Sequence, residues 1–330
     1  MVILGIESTA HTFGIGIVNN GKIICNVKDS YTTEKGGIIP MESAKHHREV
    51  ADKIWNDALV KSEISEKEIS AIAISNAPGL APCLSEGMKF AKKKAIELNI
   101  PLIPVNHCVA HLEIGRITGA KDPVLLYASG ANTQIIAYAA GKYRIFGETL
   151  DLGVGNFIDT FARSAGLGFP GGPKIEEIAK KFLISKSSAQ SPHLIELPYS
   201  VKGMDVSFSG MLTNLQQKLK NHSLAELSYS LQETAFAMLL EVSERAMAHL
   251  GKKELLLGGG VACSQRLQEM AKKMCKERGA RFFCPEKQFL VDNAAMIAWL
   301  GQLMFKSGIR QKEIDFDASE RTDMVDVKWR

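Results

Sequence analysis

The chain has 330 residues and a mass of 36.1 kDa, which is long enough for about two domains with a large core. Hydrophobic residues make up 45% and charged residues 23%, a composition typical of a soluble globular protein. No window approaches the ~18 consecutive apolar residues of a membrane span, no secretory signal precedes the first strand, and the six cysteines form no C-x-x-C pair. These features predict a cytoplasmic protein with reduced thiols, and the net charge of +4 permits nucleic-acid binding without requiring it.

Three short strands are predicted at the start of the chain, at Val2–Glu7, Phe13–Val18 and Lys22–Val27. The tight turn Asn19-Asn20-Gly21 joins the second strand to the third, because Asn-Gly favours a two-residue hairpin. The sequence therefore predicts an antiparallel meander.

The same pattern recurs about 120 residues later, since Gly21-Lys22 aligns with Gly141-Lys142. The second copy of the three strands is predicted at Asp122–Tyr127, Thr133–Tyr138 and Lys142–Phe146. Matching loop and turn lengths indicate a duplicated unit rather than two unrelated sheets.

Helical patterns and further strands follow each meander, which indicates α/β layers. They are predicted at Pro40–Lys61, Ile69–Ser75 (strand), Pro82–Asn99, Gly155–Gly166, Pro173–Ile184, Ser209–Leu219, Leu224–Leu250, Glu254–Leu257 (strand), Ser264–Arg278, Ala280–Cys284 (strand) and Asp292–Lys306.

The duplicated α/β arrangement resembles the actin, Hsp70 and sugar-kinase superfamily, in which two RNase H-like lobes enclose a nucleotide cleft. This resemblance implies an N-terminal lobe at 1–120, completed by the C-terminal helix and tail at 300–330. It implies a nucleotide-binding C-terminal lobe at 121–300.

His107 and His111 are spaced by one helical turn, so both imidazoles can reach a single divalent ion. The alternative is two ordinary helix histidines satisfied by the backbone. In the alignment of the two copies, Glu7 falls on Tyr127, and each ends a first strand that points at the crevice. Together with Asp292 near the final helix, the histidines and Tyr127 make a nitrogen and oxygen donor set suited to iron or zinc.

Two glycine segments each lead into a helix, where the backbone can approach a phosphate: Gly258-Gly259-Gly260 and 166–173. Their spacing is not G-x-G-x-x-G, so a dinucleotide fold is not supported. Asp159 and Glu176, close to the second segment, are candidates for accepting hydrogen bonds from ribose hydroxyls. Each acid alone is equally compatible with a helix cap or a surface charge.

Motifs along nearly the whole chain resemble the TsaD/OSGEP family in its archaeal and eukaryotic branch, once described as sialoglycoprotein endopeptidases. They are Gly5-Ile6-Glu7-Ser8-Thr9-Ala10-His11-Thr12, Gly36-Gly37-Ile38-Ile39-Pro40 with His46-His47, His107-x-x-x-His111, Gly171-Gly172-Pro173 and Gly259-Gly260-Val261-Ala262.

The resemblance implies an enzyme that transfers a threonylcarbamoyl group from threonylcarbamoyl-AMP to N6 of the adenosine beside the anticodon of tRNA, releasing AMP. It implies one divalent ion, Fe²⁺ or Zn²⁺. Glu7 and His11 are expected to face the same crevice from the first half and are catalytic candidates for ordering the acceptor or relaying a proton, with a structural role as the alternative for each. ATP or ADP is expected to fit the donor site. The residues that match the family positions are His107, His111, Tyr127 and Asp292 for the metal, and Tyr127, Ala128, Ser129, Gly130, Ala131, Asp159, Gly172, Glu176 and Ser264 for the donor.

Ser264 departs from the family pattern, which has asparagine there, and serine keeps a hydroxyl but lacks the two N–H donors of the amide. The roles of His46 and His47 stay open, because adjacent helix residues point about 100° apart and at most one can reach the cleft.

The implied partners are tRNA, a small atypical kinase with ATPase activity, small accessory subunits of a KEOPS-type complex, and a separate threonylcarbamoyl-AMP synthase. Some archaeal relatives continue into a fused kinase domain. The main alternative is an ATP-dependent small-molecule kinase on the same fold, which leaves the histidine pair unexplained. A zinc protease is disfavoured, because Cys108 stands where the general-base glutamate of H-E-x-x-H would be.

Overall fold

The computed structural model describes residues 1–33, 37–185 and 193–330, so Gly36 of the predicted motif lies outside the described residues. The strands are β1 Val2–Glu7, β2 Thr12–Asn19, β3 Lys22–Ser30, β4 Ile69–Ala77, β5 Leu102–Asn106, β6 Val124–Ala128, β7 Thr133–Ala139, β8 Lys142–Glu148, β9 Val201–Lys202, β10 Asp205–Val206, β11 Glu254–Gly258 and β12 Arg281–Phe283. The helices are α1 Pro40–Ser62, α2 Ala81–Leu98, α3 His107–Gly115, α4 Val154–Ser164, α5 Gly172–Ser185, α6 Ser209–Lys218, α7 Leu224–Leu250, α8 Gln265–Arg278, α9 Lys287–Leu290 and α10 Ala294–Lys306.

Two five-stranded sheets carry the fold, with strand orders β3-β2-β1-β4-β5 and β8-β7-β6-β11-β12. In each sheet the first three strands form an antiparallel meander, and the last two run parallel to the first strand. The predicted duplicated α/β class is therefore confirmed at the level of topology.

The two meanders also share their register. Leu4 pairs with Ile17 in the first, and Val124 pairs with Ala137 in the second, the same pairing 120 positions on. The hairpin turns match as well. Asn20 and Gly21 have φ of 48° and 81°, and Ala140 and Gly141 have 50° and 79°. Two successive positive φ values are what a two-residue turn needs to follow the strand twist.

Helices α3 and α10 lie between the two sheets and share one apolar cluster with residues of both, including Ile3, Leu125 and Leu256. Helix α10 can approach β1 and β2 closely because the strands have glycine, which has no side chain, at the points of contact. A Cβ on Gly5 would lie 2.3 Å from the backbone nitrogen of Ala298, and one on Gly16 would lie 2.4 Å from that of Ala295. The whole of α10, from Ala294, therefore belongs to the packing of the first sheet.

A segment after α10, residues 315–324, runs across both lobes, and we call it the interlobe strap. On the first lobe, the Asp317 backbone nitrogen donates to Asn76 O at 3.0 Å and the Gly79 nitrogen donates to Ala318 O at 3.2 Å. On the second lobe, Arg321 pairs with Glu148 at 3.1 Å. The strap thus ties β4 of one sheet to β8 of the other.

Most predicted elements appear within one or two residues of their expected ends, but four were missed. These are β5, the two-residue strands β9 and β10, and the single-turn helix α9. The final helix begins at Ala294, with Asn293 as its N-cap, so Asp292 lies just before the helix rather than in it. Within the described ranges, the helices include none with the length and apolarity to cross a membrane.

Candidate functional site

The histidine pair opens α3, directly after an N-cap. The Asn106 side chain accepts hydrogen bonds from the backbone nitrogens of Cys108 and Val109, at 3.1 and 3.2 Å. Asparagine is among the best N-caps because its side-chain oxygen satisfies otherwise free backbone N–H groups. Since the cap fixes where the helix begins, it also fixes where His107 projects.

Three side chains converge at this helix start. His107 Nε2 lies 3.3 Å and His111 Nε2 lies 3.5 Å from Oδ1 of Asp292. All three potential ligand atoms lie within 4.8 Å of one another. Both ring nitrogens of His111 are buried without a hydrogen-bond partner among the described residues, because the approach to Asp292 lacks hydrogen-bond geometry. Two imidazoles, one of them with unpartnered buried nitrogens, and a carboxylate form a donor set that fits a divalent iron or zinc ion.

Glu7 lies behind His107 rather than in the cleft. It is fully buried, and its Oε2 accepts from His107 Nδ1 at 3.0 Å. Its Oε1 accepts from the Thr9 backbone nitrogen at 2.8 Å and from the Thr9 hydroxyl at 2.6 Å. A carboxyl group that holds one imidazole nitrogen turns the other toward a metal, which is the usual outer arrangement of histidine ligands.

The electrostatics of the cluster follow from this burial. Burial disfavours the imidazolium of His107, but Glu7 and Asp292 outweigh it and hold the pKa of His107 well above its ordinary value. Burial lowers the pKa of His111. Burial would raise the pKa of Asp292, yet the charge of His107 holds it well below its usual range. The cluster therefore concentrates negative charge that a cation can neutralise.

Tyr127 reaches the cluster from the second lobe. Its ring lies 5.1 Å, centroid to centroid, from the ring of His111, and its side chain is almost entirely buried. Burial raises the pKa of Tyr127 well above its usual range, with Cys108 and Asp292 adding to the effect. A nearby cation would be needed to make this hydroxyl an anionic ligand.

His11 lies at the accessible edge of the cluster. Its Nδ1 is 4.0 Å from Asp292 Oδ2, and its side chain is 31% exposed. Its ring also packs edge-on against Phe169 at 6.4 Å. Lys28 donates to the Asp292 carbonyl at 2.8 Å from the other side. His11 is thus the histidine beside the cluster whose imidazole is accessible to solvent.

The expected donor residues gather around two segments of the second lobe. Asp159 on α4 accepts from the Gly171 backbone nitrogen at 2.7 Å, which fixes the segment before Gly172. Glu176 lies in the second turn of α5, and it accepts from the Ser264 hydroxyl at 2.9 Å. The structure therefore brings Glu176 and Ser264 together.

The turn after β6 holds Ser129, Gly130 and Ala131 beside α4. The backbone oxygens of Ser129 and Gly130 accept from the nitrogens of Gly155 and Asn156, at 3.0 and 2.9 Å. Gly259 passes close to β6, because a Cβ there would lie 2.3 Å from the carbonyl oxygen of Ala128, and its φ is +89°. Glycine at 259 is required by both features.

Ser264 also has a structural role. Besides donating to Glu176, it is the N-cap of α8 and accepts from the Leu267 nitrogen at 3.4 Å.

We expect Ser264→Ala to lower the free energy of unfolding by about 1 kcal/mol, because the N-cap hydrogen bond of α8 is lost. Ser264→Asn, which keeps a capping oxygen, should stay within ~0.5 kcal/mol of the native chain in urea denaturation. Equal losses for both variants would contradict the capping role.

The adjacent histidines of α1 diverge as expected. His46 lies 3.0 Å from Asp29 on the outer strand β3. His47 is fully buried against Phe13, and burial lowers its pKa to about 4. Neither contacts the three clustered side chains in the described geometry.

Comparison with known proteins gives a consistent result along the chain. The profile of the TsaD family, described as tRNA N6-adenosine threonylcarbamoyltransferase, matches residues 22–299. A protein of that name from Thermococcus sibiricus is 50% identical over 333 residues and covers the whole of both chains. A probable bifunctional tRNA threonylcarbamoyladenosine biosynthesis protein from Methanosarcina mazei is 50% identical, covering 99% of this chain and 59% of its own length.

Solved structures of more distant proteins share the fold alone. Thermococcus kodakarensis HypF aligns with a TM-score of 0.62 at 15% identity, over 92% of this chain and 48% of HypF. The activator of 2-hydroxyisocaproyl-CoA dehydratase from Clostridium difficile aligns with a TM-score of 0.56 at 10% identity, over 94% of this chain and 98% of the activator.

Proposed function

This chain belongs to the TsaD family of tRNA N6-adenosine threonylcarbamoyltransferases, which are acyltransferases. We propose that the cluster of His107, His111 and Asp292 is the metal centre for the threonylcarbamoyl transfer. The acyl donor is threonylcarbamoyl-AMP, and the acceptor is N6 of the adenosine next to the anticodon of tRNAs that read codons beginning with A. The observation that supports this most is the convergence of His107, His111 and Asp292, with the ring of Tyr127 from the second lobe against His111.

The proposed ligands are His107, His111, Asp292 and Tyr127, holding one Fe²⁺ or Zn²⁺. Such an ion, when bound, polarises a carbonyl or holds the threonyl carboxylate. Asp159, Gly172, Glu176 and Ser264 contact the adenosine part of the donor, and the turn at 127–131 contacts its phosphate. ATP or ADP can occupy the same subsite.

The reaction forms one bond and breaks one. The N6 amine attacks the carbamoyl carbon, the bond from that carbon to the phosphate oxygen breaks, and AMP leaves with the electron pair. The amine loses one proton, and His11 is the exposed imidazole placed to accept it. The backbone N–H groups of Gly130 and Ala131 stabilise the departing phosphate, since that of Ser129 donates to Asn132 O. Buried Glu7 acts by positioning His107, a narrower role than direct contact with substrate.

Further proposals concern the setting of the reaction. The lobes divide at about residue 120, and α10 and the tail complete the first lobe. The natural partners are a KEOPS-type complex with a small atypical kinase and accessory subunits, and a separate synthase that makes the adenylate. With tRNA as substrate, the expected compartment is the cytoplasm. The comparisons give the kinase alternative no support.

The direct test combines the metal-loaded chain and its partner proteins with tRNA and threonylcarbamoyl-AMP. We expect threonylcarbamoyladenosine in the digested tRNA by mass spectrometry, together with AMP released in equal amount. AMP released without modified tRNA would contradict the proposed transfer.

The positioning role of Glu7 makes a separate prediction. Glu7→Gln removes the charge that supports His107, and its amide NH2 must face either the two Thr9 donors or the Nδ1–H of His107, so the affinity for the metal should fall about ten- to a hundredfold. Competition with a chelator measures this affinity. Glu42→Gln, on the exposed face of α1, is the control and should bind metal normally. An unchanged metal affinity in Glu7→Gln would contradict the role of Glu7 in positioning His107.

A further inference from the structure

A crevice of ≈ 260 Å³ lies between the interlobe strap and the second sheet. Pro78 and Cys108 line it from the first lobe, Asn132, Gln134 and Glu148 line it from the second, and strap residues 318–322 form its outer wall. Cys108 is the neighbour of His107, so the crevice reaches the helix that carries the histidine pair.

Two polar residues that line the crevice, Gln134 and Glu148, continue a row across the second sheet from Tyr127 of the proposed metal centre. Tyr127 pairs with Gln134 across β6 and β7, and Gln134 pairs with Glu148 across β7 and β8. Directly paired residues project from the same face of a sheet, on strands about 4.8 Å apart. Gln134 therefore lies one strand from Tyr127, and Glu148 lies two strands away.

The lining selects for a particular chemistry. Gln134 Oε1 is buried without a hydrogen-bond partner among the described residues, although its Nε2 lies 3.4 Å from Glu148. An unpartnered buried acceptor favours a ligand that brings an N–H group. Glu148 and Glu320 outnumber the one guanidinium of Arg321, which disfavours a phosphate. A neutral planar group with an amine fits better than an anion.

The crevice also lies on the opposite side of the second sheet from the donor residues. Helices α4 and α5, which carry Asp159 and Glu176, pack with Val124, Leu126 and Ala128 on one face. Tyr127 packs with α3 on the other face. A two-substrate transfer needs both reactants to reach one carbon without sharing a pocket. The two faces provide separate approaches that meet at the end of β6, where Tyr127 and the turn at 129–131 lie.

We infer that this crevice receives the adenine base of the acceptor tRNA, with Gln134 Oε1 accepting one hydrogen of the N6 amine. The inference rests on the proposed function. The amine donates one hydrogen to Gln134 and loses the other as a proton when it attacks the carbamoyl carbon. The base must leave its stack to enter, and a volume slightly below the roughly 300 Å³ of a drug-sized pocket suits a single base.

The first test measures tRNA binding to the metal-loaded full chain with its partner proteins and without donor, so that no reaction occurs. Two tRNAs are compared, one with adenosine and one with purine riboside, which lacks the N6 amine, at the acceptor position. The native chain should prefer the adenosine tRNA by roughly tenfold. Gln134→Leu should bind both tRNAs alike, and Gln217→Leu, on the exposed face of α6, should keep the preference.

A second variant leaves the sheet untouched. Ser319 is exposed on the strap and lines the crevice, so Ser319→Trp should fill it from outside. We expect its KM for tRNA to rise at least tenfold while its affinity for ADP stays native. A preference for adenosine tRNA that persists in Gln134→Leu, or a native KM in Ser319→Trp, would overturn the inference. If either of these results occurs while the native chain still forms threonylcarbamoyladenosine, only the adenine-site inference fails and the proposed function stands. If the native chain prefers the adenosine tRNA but forms no product, only the proposed function is contradicted.

Discussion

Replacing Asp292 with asparagine is expected to lower the affinity for the metal, and with it the yield of threonylcarbamoyladenosine, by more than about a hundredfold. The carboxylate is the shared contact of His107 and His111, at 3.3 and 3.5 Å. Loss of an outer partner of a metal-binding histidine already costs about ten- to a hundredfold, and loss of a direct ligand should cost more. Metal content after dialysis and modified adenosine by mass spectrometry measure the two effects.

The loss should be specific to the metal. Affinity for ADP, held by the second lobe, should stay within about twofold of the native value in calorimetry, because Asp159 and Glu176 keep their hydrogen bonds. Asp57→Asn, on the exposed face of α1, is the matched control and should behave as the native chain. A fully active Asp292→Asn protein would contradict the assignment of this residue.

Substituting Gly5 with alanine is expected to cost about 3 kcal/mol or more of unfolding free energy. The new Cβ would lie 2.3 Å from the backbone nitrogen of Ala298 and 2.6 Å from the carbonyl oxygen of Ala294, and a helix backbone cannot turn aside as a side chain can. Helix α10 must therefore shift away from β1. Because Asp292 directly precedes this helix, the affinity for the metal should fall as well.

The matched control for this prediction is Gly210→Ala near the start of α6. Open space surrounds the Cβ position at Gly210, and alanine favours helix over glycine, so stability should stay unchanged or rise by up to ~1 kcal/mol. Urea denaturation monitored by circular dichroism compares the two variants. Equal stability of Gly5→Ala and the native chain would show that α10 does not pack as described.

The sequence predicted the duplicated core well because its signals are local. Alternating apolar residues, the Asn-Gly turn and the repeat of Gly-Lys marked both meanders. Strand β5 was not predicted, because Pro104 lies inside it and proline argues against a strand unless that strand is at the edge of a sheet. The sheet order places β5 at the edge, which the sequence alone does not show.

The clustering of His107, His111 and Asp292 was predictable from the sequence, whereas the contacts that support these side chains were less so. The spacing of His107 and His111 and the family motifs pointed to a metal, but the hydrogen bond from His107 to Glu7 joins residues 100 positions apart. The bond from Asn106 to Glu320 on the strap spans 214 positions. Contacts of this kind depend on tertiary packing and leave no periodic trace. The capping role of Ser264, by contrast, had a signal, since serine stood at the start of the predicted helical pattern, where N-caps are expected.

Anomalous diffraction from crystals of the metal-loaded chain tests the central claim most directly. We predict a single ion between the lobes, at about 2.0–2.2 Å from His107 Nε2, His111 Nε2 and a carboxylate oxygen of Asp292. An ion bound elsewhere, with these three side chains left in contact with one another, would contradict the account.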